Sequence, residues 1–214
     1  MMKVDAVEFA SLLCSRLCHD LLSPVGSINN GIELLAIEND ADMRQQCLDL
    51  LSESARTSAN KLKFFRLAFG AAGGFGDKVD VREAQQAIEG LFAANKRLDL
   101  GWMVAEPMLA KPAIKVLLNL AMIAGDTLVR GGRLDVGAEI HLDRTEIAVR
   151  ATSERLILDD NIRKALTGQL PESELTPRVA AAWMAHQIAT QSGGEIQVSE
   201  PDQPFLLFGA TLIG

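Results

Sequence analysis

Between residue 5 and about residue 70, apolar side chains return every three or four positions, and this period limits what the chain can become more than any other feature. Leu13, Leu17, Leu21, Val25, Ile28, Ile32 and Leu35 form one apolar stripe down a first helix. Glu38, Asn39 and Asp40 interrupt it, and Asp40 is placed to cap a second helix. On that helix Met43, Cys47, Leu50, Leu51, Ser54, Ser58, Leu62, Phe65 and Phe69 repeat the spacing. At about 1.5 Å per residue each helix is roughly 40–50 Å long. Two such helices on a short loop make an antiparallel hairpin, which cannot enclose a core alone. The leftover apolar surface predicts a second hairpin from a second copy of the chain, hence a symmetric four-helix bundle. The alternative is that the hairpin packs on the rest of its own chain.

Residues 70–76, GAAGGFG, break the period and read as a joint. They divide the chain into a helical hairpin, 1–75, and a second unit, 76–214. The second unit mixes periods: strands are predicted at 79–81, 98–104, 133–142, 146–151, 195–199 and 205–213, with a turn at Pro201-Asp202 before the last. Helices are predicted at 82–94, 111–128 and 159–166, with a polar loop at 167–177. A last helix starts at Thr176-Pro177, runs to about 191 and ends at Gly193-Gly194. Strands in one layer and helices in the other predict an α/β two-layer sandwich, so the fold class is α + α/β.

The net charge of -7 without any Lys/Arg-rich run argues against nucleic acid as a partner. Neither a membrane span nor a secretory signal is legible, and a cytoplasmic protein is expected. Three cysteines, Cys14, Cys18 and Cys47, make an odd count and read as small buried apolar residues. No metal site is expected.

Chemistry concentrates in Cys18-His19-Asp20-Leu21-Leu22-Ser23-Pro24-Val25. On a helix His19 lies about 160° from Leu17 and Leu21, so it points away from the stripe. Leu12, Ser15, Arg16, Ser23, Gly26, Ser27 and Asn30 surround it on the outward side, mostly small or polar, leaving room for another protein. Imidazole is nucleophilic near neutral pH when one nitrogen is unprotonated. Asp20 can orient the ring or accept its proton, Ser23 can hydrogen-bond near a phosphoryl group, and Arg16 can pair with phosphate charge. Pro24 lacks an amide hydrogen, so the Asp20 carbonyl loses its helical partner and a kink is expected there. His141 and His186 read as structural or solvated, and Trp102 and Trp183 as packing anchors.

The run His19 to Val25 resembles the H-box of histidine kinases: His, an acid, two variable residues, Ser/Thr/Asn, Pro, then an apolar residue. The resemblance implies a dimerisation and histidine-phosphotransfer hairpin followed by a kinase-type ATP-binding domain. The second unit departs from that pattern where ATP chemistry lives. Residues 116–124 look like the N-box helix, but its magnesium-binding asparagine falls at Ile123, and isoleucine cannot coordinate a hard cation. No Asp-x-Gly-x-Gly follows the strand at 147–153, and residues 175–182 hold no glycine where a phosphate-cradling loop belongs.

The run from Ser15 to Gly31 resembles ChpT-type histidine phosphotransferases of alphaproteobacteria, dimers with a degenerate kinase domain. That resemblance implies a phosphotransferase shuttling phosphoryl groups between response-regulator receiver aspartates. It implies a CckA-type donor and CtrA- and CpdR-like acceptors, no cofactor of its own, and Mg²⁺ supplied by the receiver. Two other readings stand beside it: an ATP-dependent sensor kinase core with atypical nucleotide boxes, and a non-catalytic receiver-binding scaffold. The α/β unit is expected to contribute to receiver docking.

Overall fold

The computed structural model describes residues 5–70, 76–201 and 203–213. Most of the joint at 70–76 and part of the turn at Pro201-Asp202 therefore lie outside the described residues.

Two long helices form the hairpin, α1 (Ala6–Ile37) and α2 (Ala41–Ala68). Their loop is secured from both sides. The Asp40 carboxylate accepts from the amides of Asp42 and Met43, both at 3.0 Å, and satisfies two of the free donors that open α2. Arg44 donates to the carbonyls of Leu35 and Glu38 at 2.9 and 2.8 Å, closing the end of α1. α1 runs unbroken across Pro24. The carbonyl that Pro24 deprives of its donor, that of Asp20, accepts instead from Lys61 of α2 at 2.8 Å.

The stripe expected on α1 divides in two. Pro24 and Gly31 are the buried residues of the contact with α2, with Leu17, Leu21, Ile28 and Leu35 half-buried beside them. Gly31 is there because a Cβ would meet the Leu51 side chain at 2.9 Å, so the helices approach closely. Val25 and Ile32 lie outside this contact, 52% and 56% exposed. On α2 the buried set is Cys47, Ser54, Ser58, Phe64, Phe65, Leu67 and Ala68, whereas Met43, Leu50 and Leu62 are exposed. Cys14 and Cys18, expected as buried, are exposed, and Cys47 is buried. Small residues, Gly31 on α1 and Ser54 and Ser58 on α2, are buried at different points along the hairpin, where close helix approach favours small side chains.

The second unit is a five-stranded sheet with helices on one face and a separate two-stranded ribbon. Its strands and helices follow the chain as β1 (Lys78–Asp80), α3 (Val81–Phe92), β2 (Leu98–Val104), β3 (Met108–Ala110), α4 (Lys111–Asp126), β4 (Gly132–His141), β5 (Arg144–Thr152), α5 (Asp160–Leu166), α6 (Ala180–Gln191), β6 (Glu195–Val198) and β7 (Leu206–Ile213). The sheet order is β2-β4-β5-β7-β6, with β2 parallel to β4 and the other neighbours antiparallel, while β1 pairs with β3. β5 and β7 alternate strictly between buried and outward residues, as a sheet covered on one face requires. β3 was not legible in the sequence, since three residues carry no periodicity.

α4 holds no charge between Lys115 and Asp126 and is buried almost all round. It lies between the sheet, α6, α3 and the end of α2. Phe64, Phe65, Leu67 and Ala68 share one core with Ile114, Leu117 and Leu118, so the hairpin and the α/β unit pack as neighbours at the end of α2.

The start of α6 differs from expectation. A turn closed by the Val179 amide on the Thr176 carbonyl, 3.1 Å, precedes the helix, which begins at Ala180. Pro177 suits such a turn as well as a first helical turn, and sequence alone does not separate the two. The end of α6 is as expected. Gly193 takes a φ of +70°, and the amides of Gly194 and Gly193 return to the carbonyls of Ala189 and Thr190.

Candidate functional site

His19 stands on the outer side of α1 with 87% of its side chain open to solvent. Nδ1 faces Oδ1 of Asp20 at 3.4 Å, which is long for a hydrogen bond but correctly directed. Asp20 itself is only 18% exposed. Its second oxygen, Oδ2, accepts from Nε of Arg16 at 2.7 Å, and its backbone carbonyl accepts from Lys61. One residue thus meets the histidine, one turn of its own helix, and the partner helix.

A ring whose Nδ1–H faces a carboxylate keeps its lone pair on Nε2. Nε2 is therefore the nitrogen presented to an incoming electrophile. The surface around it is open. Ser15, Ser23 and Asn30 are exposed, Leu12 and Ser27 half-buried, and a Cβ added to Gly26 would meet nothing within 4 Å.

Arg16 is placed otherwise than a free phosphate-pairing group. Its guanidinium, 18% exposed, spans Asp20 and Oδ2 of Asp126, the latter at 3.3 Å. Burial works against its charge, but Asp20 and then Asp126 outweigh burial, and its pKa lies above the ordinary value. Asp126 ends α4, so this contact crosses from the α/β unit to the hairpin. Asp126 and Lys61 are the two site residues that sequence reading missed. For Lys61 a signal existed, because the carbonyl orphaned by Pro24 had to find a donor. For Asp126 none did, as it lies 110 positions from Arg16.

The crevice where these elements meet is lined by Arg16, Met122, Ile123, Asp126, Leu158 and Arg178 and has a volume of about 110 Å³. Asn119, on the helix that looks like an N-box, is fully buried. Its amide donates to the carbonyls of Lys115 at 2.8 Å and Ala68 at 3.4 Å, tying α4 to the end of α2. A larger hollow, about 470 Å³, lies on the sheet and is lined by residues of β2, β4, β5, β6 and β7. His186, half-buried, contacts the Leu166 carbonyl at 3.1 Å, and exposed His141 contacts Glu139 at 3.0 Å.

An exposed, carboxylate-oriented histidine on a two-helix hairpin, with an α/β unit packed beside it, is an arrangement suited to a phosphotransfer protein. The family model "Histidine phosphotransferase C-terminal domain" matches residues 81–204, and the chain belongs to the ChpT-type histidine phosphotransferase family. It is 33% identical over 195 residues, 91% of each sequence, to the protein phosphotransferase ChpT of Brucella abortus (strain 2308). It also aligns with the 1.7 Å structure of a bacterial phosphotransferase, with a TM-score of 0.84 and 30% identity over 98% of both chains.

Proposed function

We propose that this phosphotransferase relays phosphoryl groups between receiver aspartates of response regulators through His19, as a homodimer and without nucleotide. The observation that carries the reading is the exposed imidazole with Nδ1 on Asp20 and Nε2 outward. In the forward step Nε2 attacks the phosphorus of an aspartyl phosphate. The N–P bond forms, the P–O bond to the donor aspartate breaks, and Asp20 stabilises the charge that gathers on the ring. The second transfer is the same step reversed onto another receiver. The receiver brings the acidic pocket and its Mg²⁺, so this chain needs to supply only an oriented nucleophile and a docking face.

Two features support a nucleotide-free reading. The crevice at Ile123, of about 110 Å³, is well below the roughly 300–1,000 Å³ of small-molecule sites. The larger hollow on the sheet is lined by Glu139, Glu146 and Glu195, which oppose an anionic polyphosphate. A dimer is supported by a second outward stripe on α1: Cys14, Cys18, Leu22, Val25, Asn29, Ile32 and Ala36 recur at steps of three and four, all exposed. Leu48, Ala55, Ala59 and Leu62 continue it on α2. Such a face on one hairpin is what a four-helix bundle buries. By its resemblance the chain would take phosphate from a CckA-type receiver and serve CtrA- and CpdR-like regulators in the cytoplasm. Among the described residues no helix is long and apolar enough to cross a membrane.

The test is a relay of labelled phosphate from a phosphorylated receiver. Acid-labile phosphate should appear on His19 and move on to a second receiver. Continued relay by His19→Ala would end the proposal, and autophosphorylation with Mg-ATP would replace it by a kinase.

A further inference from the structure

The α/β unit sends one carboxylate toward the phosphoacceptor helix, and the residue it meets is Arg16. Resting on the relay reading above, we propose that Arg16 is a positioning residue for transfer at His19: anchored by Asp126 of the α/β unit, it holds the Asp20 carboxylate in the orientation that faces Nδ1 of the histidine.

The geometry is a chain of three contacts. Oδ2 of Asp126 accepts from one terminal nitrogen of Arg16, 3.3 Å. Nε of Arg16 donates to Oδ2 of Asp20, 2.7 Å. Oδ1 of Asp20 faces Nδ1 of His19, 3.4 Å. Each carboxylate oxygen of Asp20 therefore has its own task, and the one bound to Arg16 fixes the direction of the other. A planar guanidinium does this because its donors point in set directions in one plane. Lysine, a compact point charge, would hold Asp20 without setting its plane.

Exposure places the ordered part of the chain where it is useful. Arg16 and Asp20 are each 18% exposed, whereas His19 is 87% exposed. The reacting ring must stay in solvent to be reached by a receiver, so packing cannot orient it. A carboxylate held behind it can, and being held beforehand it need not reorganise during transfer. Desolvation in the crevice raises the Asp126 carboxyl, and Arg16 opposes the rise. With 56% of that side chain open, water screens much of both effects. Asp126 thus acts through geometry, as the second anchor that stops Arg16 from turning outward. This gives the α/β unit a part in the chemistry in addition to any receiver contact.

The test pairs kinetics with an observable of the ring itself. In single-turnover transfer from a phosphorylated receiver, Arg16→Ala should slow the step at saturating receiver by about ten-fold or more, leaving the half-saturating concentration unchanged. Asp126→Asn, a near-isosteric change at a half-exposed site, should slow it less. The double variant should be no slower than Arg16→Ala, since both cut one chain of contacts. Arg16→Lys should recover part of the rate. ¹⁵N NMR of His19 above its titration should show the Nδ1–H tautomer dominant in the wild type and diminished in Arg16→Ala and Asp126→Asn. A merely structural role would leave that population alone. An unchanged tautomer in both variants, or a loss confined to half-saturation, overturns the inference. The tautomer measurement needs no phosphate, so it decides this point even if His19 proves not to carry one.

Discussion

Asp20, the neighbour that faces the His19 ring, is held in turn by Arg16 and Lys61. A helix proline is usually a liability, because it leaves a carbonyl without its donor. Here that carbonyl belongs to Asp20, and Lys61 takes it from the partner helix at 2.8 Å. The proline thus converts a missing intrahelical bond into a cross-helix one, at the residue beside His19. Lys61→Met keeps the stem and removes the donor. It should lower stability by about 1–2 kcal/mol in chemical denaturation, the cost of leaving a partly buried carbonyl unpaired. At the same scale Asp20→Asn keeps the shape and removes the charge that faces Nδ1. Transfer should fall by about 10²-fold in the single-turnover assay while receiver affinity holds. Equal rates for Asp20→Asn and wild type would mean that the receiver alone sets the rate.

The elements explain why the site is open on one side and rigid on the other. On the proposed docking, α1 would present to the receiver a face that includes Gly26, where an added Cβ finds open space. Glycine inside a helix costs stability, so Gly26→Ala should raise stability by about 0.5–1 kcal/mol and leave transfer intact. Gly26→Trp should fold equally well yet block docking, seen as a rise in the half-saturating receiver concentration. An unaffected Gly26→Trp would move the docking face elsewhere. At the end of α6 the cap makes a contrasting demand. Gly193 has a φ of +70°, and alanine there should cost about 1–2 kcal/mol in thermal melts. Gly194 has its own constraint, because a Cβ would overlap the Thr211 carbonyl of β7. The glycine pair therefore both ends the helix and lets the last strand pass close by.

On the scale of the whole molecule, the hairpin has two apolar faces and one chain covers only one of them. The inner face joins α2, and the end of α2 runs into the core of the α/β unit through Phe64, Phe65 and Leu67. The outer face, with Val25 and Ile32 more than half exposed, is the surface that the proposed dimer would bury. Light scattering should return twice the 23.1 kDa chain mass for the wild type. Ile32→Glu combined with Leu48→Glu should halve that mass without loss of helix by circular dichroism, since both side chains are exposed in the single chain. A dimer that survives both charges would place the interface on another surface.

Much of this could be read from residue order alone, because it depends on local chemistry. The helix stripes, the Asp40 cap, the glycine end of α6 and the outward direction of His19 all follow from spacing along a helix. So does the H-box, whose members lie within seven residues. The sequence also determined that the N-box position at 123 carries an apolar side chain. What it could not determine was which of two apolar faces packs inward, since Val25 and Ile32 look like Leu21 and Ile28 until Gly31 is seen against Leu51 and Cys47, with Ser54 and Ser58 buried further along α2. Nor could it tell that Asp20 is gripped by Arg16 and Lys61, or that Asp126 reaches Arg16 across 110 positions. Those contacts are set by how the α/β unit docks on the hairpin, and docking is a property of surfaces that chain order does not encode pair by pair.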